Sequence, residues 1–256
     1  MMLTLFDGRQ KVLTLRKIMS DLINYPIRIN RYLELQGVAT RRGADDLIAE
    51  GLVFVNGKRA VLGYKVNKND KVEVSPKAGI KEKVFEYFAF YKPRGIVTHS
   101  PQEDEREISD LTKRKDIFPL GRLDKESEGL IILTNDGRIT DRLLNPKYEH
   151  EKEYEVEVKE KVSPMHKKIL EGGIISLREM LKAKHVEITG PSTMTILLTE
   201  GKKHQIRRML DGAHLTVKSL KRVRVMNIKL GKLRSGEWRA LGGKELSDFF
   251  SEIGLK

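Results

Sequence analysis

Residues 152 to 158 read KEYEVEV, an alternation without a break. A period of two is the spacing at which successive side chains of a β-strand point to opposite faces. Tyr154, Val156 and Val158 therefore share one face, Glu153, Glu155 and Glu157 the other, and the tyrosine points inward. Strand-like runs recur as VFEYFAFY, GLIIL, VEIT and TMTILLT, interrupted by helical patterns at RITDRLL, SPMHKKILEG and KKHQIRRMLDG. Their order lacks the regular alternation of a doubly wound fold. It predicts an α+β domain over residues 84–256, built on a mixed, mainly antiparallel sheet.

Ahead of it, residues 27–75 read as a separate small α/β unit. RINRYLELQG carries Leu33 and Leu35 before Gly37, and TRRGADDLIAEG reads as a second helix. Thr40 is its N-cap, Ala44, Leu47 and Ile48 its apolar stripe, and Gly51 its stop. Leu52 to Val55, the Asn56-Gly57 turn, GYKV and KVEV then predict short strands with a tight hairpin. Residues 76–83 have a linker's proline, glycine and lysines, and residues 1–26 form an extension to which no role is assigned.

Lys+Arg 49 against Asp+Glu 36 leaves a formal charge of +13. Such a balance favours a polyanionic partner through counterion release, nucleic acid ahead of an anionic membrane surface. No apolar stretch approaches a membrane span, and the first residues lack a signal peptide's apolar segment and cleavage site, so a cytoplasmic protein is expected. The chain has no cysteine, which excludes disulfides, thiolate zinc sites and a cysteine nucleophile. The histidines show no close ligand pairing, and Walker-type and dinucleotide glycine motifs are absent; no metal is implied.

Two features stand out from ordinary surface charge. Arg41 and Arg42 open a helix at the end whose free N–H groups already carry positive character. That arrangement suits a phosphate, although pairing with Asp45 and Asp46 at helical spacing is the plain alternative. In GRLDKESEGLIILTNDG, Asp124 lies between Arg122 and Lys125 just ahead of the apolar run Leu130–Leu133. A loop acid between cations is ordinarily a turn cap or a surface ion pair, so this segment alone decides nothing.

RINRYLELQGVATRRGADDLIAEGLVFVNGKRA resembles the RNA-binding domain named after ribosomal protein S4, with Asn30 where an aspartate is common and Gly43 where a longer side chain is common. Asn30 retains the ability to cap a helix. By that resemblance Arg31, Arg41, Arg42 and Lys58 face RNA. KPRG (92 to 95), the Asp124 segment, KEY (152 to 154) and GKKHQIRRM (201 to 209) together resemble the family of ribosomal RNA pseudouridine synthases typified by RsuA and RluF, which carry an S4-type domain in front. Ser127 stands where that family usually has threonine.

The resemblance implies that Asp124 is catalytic, that Tyr154 stacks on the target base, that Leu220 packs near it, and that an arginine lies against the aspartate. Helical geometry nominates that arginine: Ile206, Met209 and Leu210 define a buried face, leaving Arg207 at its edge and Arg208 nearly opposite. Arg208, His204, Lys202 and Lys203 are then candidates for phosphates, and Lys92, Arg94, Arg122 and Lys125 for the backbone flanking the target. The implied isomerisation involves no net redox change and no cofactor, and one nucleophilic carboxylate suffices for it. An opposite charge nearby would keep that carboxylate ionised. The target uridine must be flipped out of its fold to reach it.

The expected partner is RNA, ribosomal RNA first and transfer RNA second, with no membrane association and a monomeric chain. RluF-like wording in GKKHQIRRM and SGEWRAL tilts the expectation slightly towards the large-subunit RNA. Two alternatives are a non-catalytic RNA-binding or ribosome-assembly protein, and a hydrolase using Asp124 with Glu126 or Glu128.

Overall fold

The computed structural model describes residues 23–78 and 84–255. Most of the 1–26 extension and residues 79–83 of the linker lie outside the described residues. The chain divides into two compact units, one holding the residues up to Phe85 together with 137–139 and those from Gly254 on, the other holding 86–136 and 140–253.

In the first unit, β1 (Ile27–Arg28) leads into α1 (Ile29–Leu35) and α2 (Arg41–Ala49), followed by β2 (Val53–Val55), β3 (Lys58–Arg59), β4 (Lys65–Val66) and β5 (Val72–Val74). Strand β1 pairs with β4, and β3, β2 and β5 form a second small antiparallel sheet. Ile29, Leu33, Ala44, Ile48, Val53, Val55 and Val66 are buried together as its core.

Thr40 caps α2 as its sequence predicts, accepting from the Gly43 N–H at 3.2 Å. Gly51 stops it at φ +70°. Its N–H donates to Ile48 and that of Leu52 to Leu47, the paired bonds that close a helix through a left-handed residue. Asn56 and Gly57 both take positive φ, as the hairpin turn requires. Asn30 does not cap α1: the N-cap is Arg28, and the Asn30 amide instead donates to the Asp45 carboxylate at 3.0 Å, tying the two helices together. Pro76–Ala78 form a single 3-10 turn.

The second unit contains β6 (Tyr87–Lys92), α3 (Ile108–Thr112), β7 (Phe118–Leu120), β8 (Glu128–Thr134), α4 (Thr140–Leu144), β9 (Lys152–Val158), α5 (Pro164–Gly172), β10 (Ile174–Ser176) and β11 (Glu179–Leu181). There follow β12 (His185–Gly190), β13 (Thr193–Leu198), α6 (Gln205–Gly212), β14 (Val217–Val225), β15 (Ile228–Lys229), β16 (Trp238–Ala240) and α7 (Gly243–Glu252). Its main sheet runs β12-β13-β9-β14-β8-β6-β16, with β7 beside β8 and β15 beside β14. Only the β14–β8 pairing in it is parallel, so the mixed, mainly antiparallel α+β sheet expected from the sequence is what forms.

Burial follows the sequence periods. In β9, Tyr154, Val156 and Val158 are buried, and they join Ile206, Met209 and Leu210 of α6 and Leu170 of α5 in one core. In β8 every residue from Gly129 to Thr134 is buried, because the strand is paired on both edges and covered on both faces. Phe90 is fully buried, and Phe88 is half-buried against Trp238 at 4.7 Å between ring centroids.

Gly129 decides how closely β8 and β14 approach. It sits at φ +106°, and a Cβ there would fall 2.3 Å from the Arg222 carbonyl oxygen. Only glycine fits this crossing. Beyond it β14 diverges and β7 takes over that edge of β8, pairing Leu120 with Ile132.

Candidate active site

The segment 121–127 joins β7 to β8 where β14 and β7 diverge, and it carries Asp124. Its backbone is held at several points. Thr98 Oγ1 donates to the Leu123 carbonyl at 2.7 Å and accepts from the Leu123 N–H at 3.0 Å, and the Ser127 N–H closes a turn onto the Asp124 carbonyl at 3.0 Å. Gly95, at φ +83° in the KPRG turn, donates to the Lys125 carbonyl at 2.8 Å.

Lys92 supplies the bracket between these two turns. It is fully buried, and its ammonium donates to the carbonyls of Pro93 at 2.8 Å, Ile96 at 2.6 Å and Lys125 at 3.5 Å. Burial pushes its pKa down to about 8, against the opposing pull of Asp124, Glu126 and Glu128. The sequence expectation that Lys92 meets the RNA backbone is therefore corrected, since no phosphate reaches a buried ammonium already engaged by carbonyls.

Beside the loop opens a cavity of about 510 Å³. Its lining includes Arg122, Asp124 and Ser127 from the loop, Lys152 and Tyr154 from β9, and Leu220 and Arg222 from β14. Lys202, Lys203, His204 and Arg207 line it from the start of α6 and the turn before it. Tyr154 and Leu220 are buried, and Asp124 is partly exposed. Segments far apart in sequence thus bring the expected acid, phenol, leucine and arginine to one cavity.

The side chain at the carboxylate differs from the one expected. His204 Nε2 lies 3.5 Å from Asp124 Oδ1. Arg207 donates instead to the Glu126 carbonyl at 2.9 Å and to Ser127 Oγ at 3.3 Å, so it fastens the C-terminal side of the Asp124 loop to α6. The usual threonine would offer an oxygen at the Ser127 position, and serine supplies one too.

The remaining expected cations separate into engaged and outward-facing ones. Arg208 does not project to solvent: it pairs with Glu179 at 2.8 Å, donates to Ser176 Oγ at 3.2 Å and bonds the Ser176 carbonyl. It is a fastener between α6 and the β10–β11 hairpin, which corrects its assignment to phosphate. Arg31 is mostly buried and pairs with Glu34 within α1. Arg94 pairs with Glu126 at 3.0 Å and Lys125 with Glu105 at 2.9 Å, both at the surface. Arg41, Arg42 and Lys58 are exposed; neither arginine pairs with a described carboxylate, and Asp45 is engaged by Asn30.

Two cations in the cavity were not anticipated. Lys152 shares the inward face of β9 with Tyr154, and its ammonium donates to the His150 carbonyl at 3.1 Å. Burial, reinforced by the Arg222 charge, pushes its pKa down to about 8. Arg222 is buried opposite Tyr154 in the β14–β9 register and donates to the Leu130 carbonyl at 2.7 Å, an acceptor left open where β14 leaves β8. The alternation of KEYEVEV contained the Lys152 signal, because a period of two that turns Tyr154 inward turns Lys152 inward too. Arg222 stands two residues beyond Leu220 in SLKRVRV, so the same period places it on the face of that leucine.

Neither Glu126 nor Glu128 is a second acid in the cavity: Glu126 pairs with Arg94, and Glu128 accepts from the Tyr91 hydroxyl at 2.9 Å. Glu200 does line it, but its carboxylate is engaged by the Gln205 amide at 2.7 Å and Lys202 at 3.3 Å. Among the described residues no group of three or more histidines and acids is placed to hold a metal ion. No helix of the described residues is long and apolar enough to cross a membrane.

Comparison with known proteins adds to this geometry. Residues 86–211 match the family described as RNA pseudouridylate synthase, and residues 27–72 match the S4 domain. The chain is 38% identical over 231 residues to "Dual-specificity RNA pseudouridine synthase RluF" of Escherichia coli (strain K12), covering 89% of this chain and 79% of that protein. It is 36% identical over 232 residues to "Ribosomal large subunit pseudouridine synthase B" of Bacillus subtilis (strain 168), covering 86% and 93%. A solved structure described as "Crystal structure of pseudouridylate synthase" shares the fold at a TM-score of 0.64 and 23% identity, over 89% of this chain and 99% of that one.

Proposed function

Because this chain belongs to the RNA pseudouridine synthase family, and so isomerises uridine in RNA, we propose that its substrate is ribosomal RNA, the large-subunit molecule ahead of the small-subunit one, and that Asp124 is its nucleophile. A relative whose name specifies the large ribosomal subunit, at 36% identity, supports the choice of RNA. The observation that carries the chemistry is the single cavity in which Asp124, Tyr154, Leu220 and the Arg207 that holds the loop converge.

The proposed reaction balances without an oxidant. The bond from uracil N1 to ribose C1′ breaks, the base turns, a bond from C5 to C1′ forms, C5 loses its proton and N1 gains one. A carboxylate that adds covalently divides this into two easier steps, and the base must leave its stack to reach it. Tyr154 packs on the everted ring, Leu220 supports it, and Arg122 and Lys203 at the cavity hold flanking phosphates, while Lys202 is engaged by Glu200 and the Met180 carbonyl. Residues 27–75, with Arg41, Arg42 and Lys58 outward, grip RNA elsewhere, and residues 84–256 do the chemistry.

The test is a map of pseudouridines in both ribosomal RNAs from cells with and without this gene, complemented by the natural protein or by Asp124→Asn. The reading predicts that a modification disappears with the gene, returns with the natural protein and stays absent with Asp124→Asn. The variant should still bind RNA within a few-fold of the natural affinity, because little charge leaves the binding surface. Full rescue by Asp124→Asn overturns the nucleophile, and unchanged ribosomal RNA overturns the substrate.

A further inference from the structure

The hairpin of β10 and β11 combines two features that a mere chain reversal does not need. Ser176 pairs with Glu179, so Leu177 and Arg178 form its two-residue turn, and both take positive φ, 51° and 64°. That geometry suits asparagine and glycine; a leucine and an arginine there are strained. Strain of this kind persists only where the surroundings hold it, and it concentrates at functional sites. The same tip is apolar and uncovered, with Leu177 82% and Ile175 73% exposed.

The mount is rigid although the tip is bare. Leu181 at the hairpin's root is fully buried. Arg208 of α6 fastens Ser176 and Glu179, and Lys202 donates to the Met180 carbonyl at 2.8 Å. Lys202 also lines the cavity that holds Asp124, so the hairpin is tied to the wall of that cavity. Arg178 and Lys182 are exposed on the hairpin and Lys203 on the adjoining turn. An apolar tip ringed by cations matches the two surfaces of a nucleic acid, base faces and phosphates, better than it matches a protein groove.

We propose that the Leu177–Arg178 tip is a second RNA-contacting element of the catalytic unit. Leu177 packs on bases beside the target uridine, in the stack opened when that nucleotide is extruded, and Arg178 meets a neighbouring phosphate. This rests on the reading that folded RNA is the substrate. It adds a contact that recognises the structure around the uridine, separate from the groups that transform the uridine itself.

The test replaces the tip by the residues its backbone prefers, Leu177→Asn with Arg178→Gly. Thermal unfolding should show a midpoint equal to or above the natural one, which excludes misfolding as the cause of any loss. On a folded ribosomal RNA fragment KM should rise about tenfold or more, with the saturating single-turnover rate within about twofold. On a short unstructured oligonucleotide carrying the same uridine the two proteins should agree.

Equal kinetics on folded RNA in the stable variant would overturn the proposal. Unchanged RNA kinetics with an altered oligomeric state by sedimentation would assign the tip to a second copy of the chain, and also overturn it. Binding is measured in parallel with both proteins carrying Asp124→Asn. If the natural protein modifies no ribosomal RNA, the functional reading fails, while a selective loss of affinity for folded RNA still judges the tip by itself.

Discussion

His204 Nε2 stands 3.5 Å from Asp124 Oδ1, and the histidine side chain is half exposed. Arg207, one helical turn along, holds the backbone of the same loop at the Glu126 carbonyl. The imidazole touches the carboxylate itself and the guanidinium holds the loop that carries it, which separates their effects. An exposed pair contributes up to about 1 kcal/mol, so His204→Gln should slow single-turnover modification by no more than about fivefold. Arg207→Met removes charged hydrogen bonds to the loop, on the order of 1.5 to 3 kcal/mol, and should slow it roughly ten- to hundredfold. A larger loss from His204→Gln than from Arg207→Met would reverse these roles.

Lys92 and Lys152 predict how stability depends on pH. Burial lowers both from 10.5 to about 8 in the folded chain. Below pH 8 each is protonated whether folded or unfolded, and the cost of burying the charge is present in full. Between about pH 8 and 10.5 the unfolded chain binds more protons, so stability against urea should rise with pH across that window. Lys152→Met should flatten its share of the rise. An identical slope in the variant would show that Lys152 titrates normally.

Gly129→Ala should be among the most damaging small changes in the catalytic unit. The new methyl would meet Arg222 backbone 2.3 Å away at a positive φ, combining overpacking with backbone strain, together about 3 to 5 kcal/mol. The urea midpoint should fall accordingly. Because β8 and β14 part at this crossing, activity should fall at temperatures where the variant remains folded.

Replacing exposed Arg41 and Arg42 together by glutamine tests the small unit. For every phosphate that the variant no longer neutralises, the slope of log affinity against log salt should become shallower by about 0.7 to 0.9. Affinity should weaken most at low salt, with the saturating rate unchanged. A salt slope equal to the natural one means that these arginines do not meet phosphate.

Local patterns in the chain specified several of its elements, although not the central strand β14 or the last helix α7. Thr40 and Gly51 bound a helix because a cap oxygen and a left-handed residue act within a few positions of each other. KEYEVEV turns Tyr154 inward because the side-chain period of a strand is two. The acid in the β7–β8 turn and the helix edge carrying Arg207 were legible for the same reason, and the resemblance joined them into one site.

Which charge serves which partner was settled only by the tertiary structure. Lys92, Arg94, Arg122 and Lys125 look alike in sequence. Folding buries Lys92 among three carbonyls, pairs Arg94 and Lys125 with acids, and leaves Arg122 at the cavity. The same holds for Arg208, and for His204 taking the place expected of Arg207. A cation's fate depends on carbonyls and carboxylates brought to it across long stretches of chain. Backbone acceptors are present at every residue, so no residue pattern marks the one left open by a diverging strand.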